Sequence, residues 1–421
     1  MKAFISKSKV AGKVNAPSSK SYTIRGLMCA ALAKGKSEII NPLSSDDTEA
    51  ATEVLTRVGI QVNPQNDDWV VTGGNFREPQ ADLFCRESAT TLRFMTAICS
   101  LVPGRCRLTS APSLSLRPIS PLIEALQQWG VTASYQEKDA GVMVNGGKLR
   151  GGVTQLPGNI SSQFISALLF IAPFATEGAS IVLTTPLESQ PYVLMTQECL
   201  GLFGVKVTAS PDLKKFEIAR QRYHPARYRV EGDWSSASYL LALGALCGAM
   251  TVDNLNPVSL QGDKIIADIL RQMGASVNTG ENAIEVKASK LKGIETNLSD
   301  CIDLLPTIAV LAAAAGGQSE LYGIERARLK ESNRVGAVRE GLERMGINVV
   351  EEKNRLVITG SKPKGALIDS KGDHRIAMAF SLLGMVAGDT VIDGAECVAK
   401  TYPDFWNTLK ILGGGVKIDG E

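Results

Sequence analysis

The residues best suited to chemistry first appear in Asn15-Ala16-Pro17-Ser18-Ser19-Lys20-Ser21-Tyr22-Thr23-Ile24-Arg25. Lys13-Val14 reads as the end of a strand. Beyond the run, Ile24, Leu27, Met28, Ala31 and Leu32 recur at i, i+3, i+4, i+7 and i+8, one apolar face of a helix. Pro17 and the serines after it mark the helix start. Ser18, Ser19 and Ser21 therefore stand where unpaired backbone N–H groups point outward. Lys20 is among them, and Arg25 lies one turn on. Such a terminus suits a phosphate or a carboxylate. Serines there also have a plain reading as helix caps, so the rest of the chain must decide.

Other polar helix starts carry more charge than capping needs. They are Glu87-Ser88-Ala89-Thr90-Thr91-Leu92-Arg93, Arg117 within Ser115-Leu116-Arg117-Pro118, Ser161-Ser162-Gln163, and Ser189-Gln190-Pro191-Tyr192. Asp303 lies three residues before Pro306. Lys330-Glu331-Ser332-Asn333-Arg334 is expected to set Lys330 and Arg334 on one helix face at i, i+4. Asp373-His374-Arg375 begins a helix, and Lys400-Thr401-Tyr402-Pro403 precedes the last one. Singly, each has a bland account. Asp303 and Asp373 suit N-caps, Arg117 and Lys400 suit solvent, and Glu331 with Arg334 suits a surface pair of a few tenths of a kcal/mol. Jointly they do not, because cations at helix starts are unfavourable without an anion. Lys20, Arg117, Lys330 and Arg375 all occupy such places. The simplest account is a polyanionic ligand held by several helix termini. Asp303 and Glu331 add acid–base chemistry. A carboxylate among arginines stays ionised and can take a proton from a hydroxyl, while a second carboxyl delivers one elsewhere. Lys20, beside further positive charge, is expected to have a lowered pKa and to shuttle a proton. Pro17–Ser21 ends in Lys-Ser but lacks the glycines of a nucleotide loop.

These residues need elements to hold them. A pattern Leu-x-x-hydrophobic-Gly recurs at helix ends: Leu55…Gly59, Leu126…Gly130, Leu200…Gly204, Leu270…Gly274, Leu342…Gly346 and Leu409…Gly413. By subtraction the glycines lie 71, 74, 70, 72 and 67 residues apart. Glycine there suits a left-handed helix C-cap. The polar starts at Ser19, Ser88, Ser162, Ser236, Pro306 and Arg375 keep step, at intervals of 69, 74, 74, 70 and 69. The two series predict six α/β units of roughly 70 residues. Three precede Glu231-Gly232-Asp233 and three follow. Two similar halves joined near residue 230 are expected, with the ligand in the cleft between them.

Composition bounds the reading without choosing it. The 421 residues suffice for two or more domains. With 44% hydrophobic and 21% charged residues and a net charge of +2, the chain resembles an ordinary soluble protein. The near-neutral charge and the absence of a basic aromatic strip weigh against nucleic acid. Eight cysteines without a Cys-x-x-Cys pair fit reduced thiols and a cytoplasmic location. The only histidines, His224 and His374, exclude a His-rich metal site, and no metal or cofactor is expected. Met1–Val10 lacks a signal-peptide core, and the longest apolar runs are too short to span a membrane.

Together the stretches resemble the 5-enolpyruvylshikimate-3-phosphate (EPSP) synthase family over essentially the whole chain. The matching motifs are Pro17–Ser21 with Arg25, Leu116-Arg117-Pro118, Ser161-Ser162-Gln163-Phe164, and Gly232-Asp233 with Ser235–Tyr239. Arg328–Arg334, Asp373–Met378 and Lys400–Asp404 complete the set. The resemblance implies a two-domain inside-out α/β barrel of six βαβαββ repeats, three per domain. Residues 1–19 would join 232–421 in one domain, and 20–231 would form the other. It implies transfer of the enolpyruvyl group of phosphoenolpyruvate to the 5-hydroxyl of shikimate 3-phosphate, with release of phosphate. It also implies domain closure when anions neutralise the cationic walls. Ser161, Ser162, Ser189 and Lys330 would hold the shikimate phosphate, and Ser21 and Arg25 its carboxylate end. Gln163 and Tyr192 would line the floor. Lys20, Arg117, Arg334, Arg375 and Lys400 would hold phosphoenolpyruvate. Asp303 is the implied base, which places it against shikimate 3-phosphate, and Glu331 is the implied proton donor to C3.

One loop departs from the family pattern. Gly-Asn-Ser/Ala-Gly-Thr before the arginine is here Arg86-Glu87-Ser88-Ala89-Thr90. The Ala89 methyl, where glycine is usual, is expected to touch phosphoenolpyruvate and to crowd the longer inhibitor glyphosate. Glu87 is expected to pair with Arg86 or Arg93. The sister transferase acting on UDP-N-acetylglucosamine shares the Asp-His-Arg-Ile-Ala-Met stretch but usually has Lys-Asn where Lys20-Ser21 stands. Ser161-Ser162-Gln163 favours shikimate phosphate. A non-catalytic anion binder would not need Asp303 and Glu331. A monomer is expected, since internal repetition already supplies two halves.

Overall fold

The computed structural model describes residues 1–115, 117–136 and 141–420. Leu116 of the Leu116-Arg117-Pro118 motif lies outside them. Two compact units emerge: Ser18–Glu231, and Met1–Pro17 with Gly232–Glu421. Six buried helices organise the chain. They are α1 (Lys20–Leu32), α2 (Ala89–Ile98), α3 (Ser162–Ile171), α4 (Trp234–Cys247), α5 (Leu305–Ala314) and α6 (His374–Ala387). Their sequences are apolar nearly all round, which suits a helix enclosed on every side. In the Ser18–Glu231 unit α2 packs on α1 and α3; in the other unit α4, α5 and α6 pack on one another.

The sheets form an α/β arrangement with mixed strand directions. Six four-stranded sheets are present among the described residues. Each has one parallel edge pair followed by two antiparallel pairs, as in Leu83–Phe84, Gly104–Thr109, Gly141–Gly146 and Thr132–Gln136. Exposed and buried residues alternate in strands such as Lys2–Ser6, the partner of Gly415–Ile418, where Ala3 and Ile5 are buried. Amphipathic helices cover the outside of these units, among them Asp46–Arg57, Ser120–Gln128 and Arg334–Arg344.

Local chemistry explains the helix ends. Gly59, Gly130, Gly204, Gly274, Gly346 and Gly413 each follow a helix with φ between 80° and 98°. That is the left-handed C-cap their spacing predicts, a conformation side chains with a Cβ resist. Ser19, Ser88, Ser161, Asp233 and Asp373 cap α1, α2, α3, α4 and α6 through their side chains. Two starts differ from expectation. The fourth moves from Ser236 to Trp234, because Asp233 accepts from the Ser236 N–H at 2.7 Å. Asp303 is not the N-cap of α5: it lies in a 3-10 turn, Ile302–Leu304, that runs directly into that helix.

Candidate active site

Within each unit, candidate residues stand at the N-termini of buried helices, where backbone N–H groups lack helical partners, and on the turns beside them. In the Ser18–Glu231 unit, Lys20 opens α1 and its Nζ meets Asp47 Oδ2 at 2.8 Å. Sequence reasoning gave Lys20 positive neighbours; the structure gives it a carboxylate from the first turn of helix Asp46–Arg57. Arg25 is among the largest fully buried side chains. Its Nε donates to Thr196 Oγ1 (2.9 Å), Nη1 to the Ser21 carbonyl (3.0 Å) and Nη2 to the Tyr192 carbonyl (3.0 Å). The rings of Phe94 and Tyr192 lie 5.5 and 5.7 Å from its guanidinium. Burial lowers its pKa, yet guanidinium remains charged across the accessible range.

Ser161 caps α3, with Ser162 and Gln163 in its first turn. Arg93 of α2 reaches both, donating to Ser161 Oγ (3.2 Å) and Gln163 Oε1 (2.8 Å), while Gln163 Nε2 donates to Thr90 Oγ1 (3.0 Å). Ser189 precedes helix Gln190–Leu202 in a left-handed conformation, φ 53°. Non-glycine residues hold that shape only where their surroundings enforce it. Arg117 follows the short helical turn Pro112–Ser115, its N–H donated to the Leu114 carbonyl at 3.0 Å.

In the other unit the cluster centres on Asp303. Its Oδ1 receives Lys330 Nζ at 3.1 Å and Arg334 Nη1 at 2.7 Å, and its Oδ2 receives Arg375 Nη2 at 3.2 Å. Arg334 also meets Glu331 and, through Nε, Asp373 Oδ2 at 2.8 Å. Burial opposes the ionisation of Asp303, but Arg375, Lys330 and Arg334 outweigh it and hold the carboxyl well below the usual carboxylate range. Burial pushes Lys330 down to about 8, against the pull of Asp303. Nearby Asp263 is buried and accepts from Ser235; burial, with Asp303 adding, pushes it up to about 7. Lys400 Nζ donates to the Gly372 carbonyl at 2.9 Å.

One helical expectation fails here. Lys330 and Arg334 do not share a helix face. Residues Glu325–Leu329 form a 3-10 turn, and the helix begins at Arg334 because Asn333 caps it through the Gly336 N–H. The two cations still meet on one oxygen of Asp303. The cations at helix starts are also partly balanced by carboxylates of the chain itself, Asp47, Asp303, Glu331 and Asp373. Asp47 as the partner of Lys20, and Arg93 as the partner of Ser161 and Gln163, escaped sequence reasoning. The signals were an acidic first turn, Asp46-Asp47-Thr48-Glu49, and a lone arginine in the otherwise uncharged α2.

The model of the family described as EPSP synthase (3-phosphoshikimate 1-carboxyvinyltransferase) matches residues 5–409. The chain belongs to the EPSP synthase family. It is thereby a transferase of the shikimate pathway, a 3-phosphoshikimate 1-carboxyvinyltransferase. A relative of that name from Dehalococcoides mccartyi strain BAV1 is 51% identical over 421 residues, covering all of both chains. One from Methanocaldococcus jannaschii is 40% identical and covers 97% of each. The solved EPSP synthase of Acinetobacter baumannii superposes with a TM-score of 0.83 at 25% identity, over 99% of each chain. The enolpyruvyl transferase NikO of Streptomyces tendae shares the fold, with a TM-score of 0.80 at 18% identity.

Against the EPSP synthase pattern, the unusual loop has its own geometry. Arg86 stands at φ 50° and turns its guanidinium to Asp46 (3.1 Å), Glu49 (3.1 Å) and Glu53 (2.6 Å) of the neighbouring helix. Arg86 therefore pairs with these three rather than with Glu87. Glu87 accepts from Ser113 Oγ at 3.1 Å. Ala89, buried, is the first residue of α2.

Proposed function

We infer that this chain joins shikimate 3-phosphate to phosphoenolpyruvate through the two clusters just described. In this reading the α3 N-terminus, with Ser161, Ser162 and Gln163, and with Ser189 and Tyr192 beside it, holds the sugar-ring substrate. Ser21 and Arg25 hold its carboxylate end, and Lys330 its phosphate. Lys20, Arg117, Arg334, Arg375 and Lys400 hold phosphoenolpyruvate. Asp303 takes the 5-hydroxyl proton as that oxygen bonds C2 of the enolpyruvyl group, and Glu331 gives a proton to C3. The tetrahedral intermediate then expels phosphate, and C3 returns a proton to Glu331 as the double bond re-forms.

The observation that carries the reading is the ring of Lys330, Arg334 and Arg375 around Asp303. Held by three cations, Asp303 is a poor base. As those cations turn to substrate phosphates and carboxylate, the carboxylate loses its counter-charges and its proton affinity rises. Substrate binding would thereby switch on its own base. The Asp303→Asn variant should keep substrate binding and lose phosphate release by about a hundredfold or more, the range for a removed general base. Phosphate release from wild type that needs both substrates would support the reading. Release with UDP-N-acetylglucosamine in place of shikimate 3-phosphate would move it to the sister activity, and no release with either acceptor would leave an anion binder.

The same reading carries the inside-out α/β barrel of six βαβαββ repeats, three per domain, with the first residues joining 232–421 and the boundary at Pro17 rather than at residue 19. Six four-stranded sheets of one pairing pattern, one parallel pair and two antiparallel, support it. It also assigns Ala89 to the wall of the phosphoenolpyruvate site, where its methyl tolerates that compact substrate and crowds glyphosate. Eight free thiols suit a reducing cytoplasm, and internal repetition suits a monomer. No helix among the described residues is long and apolar enough to cross a membrane.

A further inference from the structure

Arg93 has no assigned role, yet it is buried at the centre of the α3 terminus. Its Nη1 donates to Ser161 Oγ and Gln163 Oε1, its Nη2 donates to the Pro118 carbonyl at 3.0 Å, and its guanidinium lies 5.0 Å from the Phe164 ring. Ser161 Oγ accepts from Arg93 and from the Gln163 N–H (3.3 Å), so both lone pairs are engaged and only its O–H remains to give. Gln163 Oε1 accepts from Arg93 on one lone pair, which fixes the way the amide faces. Its Nε2 gives one N–H to Thr90 and keeps one. An amide fixed at its oxygen cannot flip to offer that oxygen to a ligand.

We propose that Arg93 is a positioning residue that turns the Ser161 hydroxyl and the free Nε2–H of Gln163 into donors held ready for the ligand, so that this terminus favours anions over ligands that need an acceptor there. The same guanidinium, through the Pro118 carbonyl, fixes the backbone next to Arg117. The proposal rests on the reading of this terminus as the shikimate 3-phosphate site, and it names what sets the polarity of that site. Without Arg93 the hydroxyl rotates, the amide flips, and each donor spends part of its time facing the ligand with a lone pair.

A double-mutant cycle on the purified full chain tests this, with phosphate release as the assay and the melting temperature followed for every variant. Arg93→Leu should raise KM for shikimate 3-phosphate tenfold or more with kcat within about threefold. In that background Ser161→Ala and Gln163→Ala should each raise KM less than threefold further, although each costs more on its own. Full additivity, or a folded Arg93→Leu with wild-type KM, overturns the proposal. If Arg93→Leu does not fold, Arg93→Lys decides, because one ammonium nitrogen on a shorter chain does not reproduce the planar fork whose Nη1 and Nη2 reach Ser161, Gln163 and Pro118. A KM within threefold of wild type would then refute it. If wild type releases no phosphate at all, the functional reading falls instead. The side-chain amide signal of Gln163, assigned by its loss in Gln163→Glu, then carries the test. It should be shifted and slow to exchange in wild type and solvent-like in Arg93→Lys. An unchanged signal would overturn the proposal.

Discussion

At the scale of single residues, charge pairing governs both stability and chemistry. Asp373 is fully buried, caps α6 and binds Arg334 through both carboxylate oxygens. Asp373→Ala leaves that guanidinium buried and short of a partner, so unfolding by denaturant should show a loss of about 3–5 kcal/mol. A loss under about 1 kcal/mol would mean that Asp303 and Glu331 suffice to hold Arg334. Lys330, held near 8, should be charged below that pH and neutral above it. If it holds the shikimate phosphate, kcat/KM for shikimate 3-phosphate should fall as pH rises through about 8, and kcat should change less, since bound phosphate favours the ammonium form. A flat profile from pH 7 to 9 would remove Lys330 from that contact. At Ala89, the Ala89→Gly variant should become more sensitive to glyphosate with little change in KM for phosphoenolpyruvate. Equal inhibition of both proteins would remove the methyl from the inhibitor's path.

At the scale of elements, close packing of helices depends on a few small side chains. Gly341 faces α6 from helix Arg334–Arg344, and a Cβ built there would come within 2.3 Å of the Phe380 ring. Alanine in an exposed helix position gains up to about 1 kcal/mol over glycine. Gly341→Ala should instead lose about 1–3 kcal/mol, because Phe380 is fully enclosed and the helix carrying Arg334 must move. Thermal melts with phosphate release measured beside them would show both effects. Element ends were legible in sequence wherever the signal was local. The C-cap glycines and the capping serines act on backbone within one turn of themselves, so composition and spacing suffice to find them. The segment around Lys330 was not legible. Its charges follow helical spacing, but Asn333 caps a helix that starts later, and helix and turn differ there by one cap.

At the scale of the whole chain, the first fifteen residues belong with the last two hundred. Lys2–Ser6 lies inside a sheet, paired with Thr390–Asp393 on one side and Gly415–Ile418 on the other, and Val10–Asn15 pairs with Gly248–Asp253. Residues 18–231 expressed alone should therefore melt cooperatively, whereas 232–421 alone lacks strands from two sheets and should not, unless residues 1–17 are supplied. Two independent cooperative melts would contradict this dependence.

By itself the sequence determined the period of the chain, the helix ends, the family and the residue types available for anion and proton chemistry, since these depend on neighbours a few positions apart or on whole motifs. Only the tertiary structure decided which charges meet. Arg375 and Asp303 are 72 positions apart, Lys20 and Asp47 are 27, and Arg93 reaches Gln163 across 70. No local pattern specifies such pairs. They form because packing within each unit brings distant segments side by side and burial makes an unmatched charge costly.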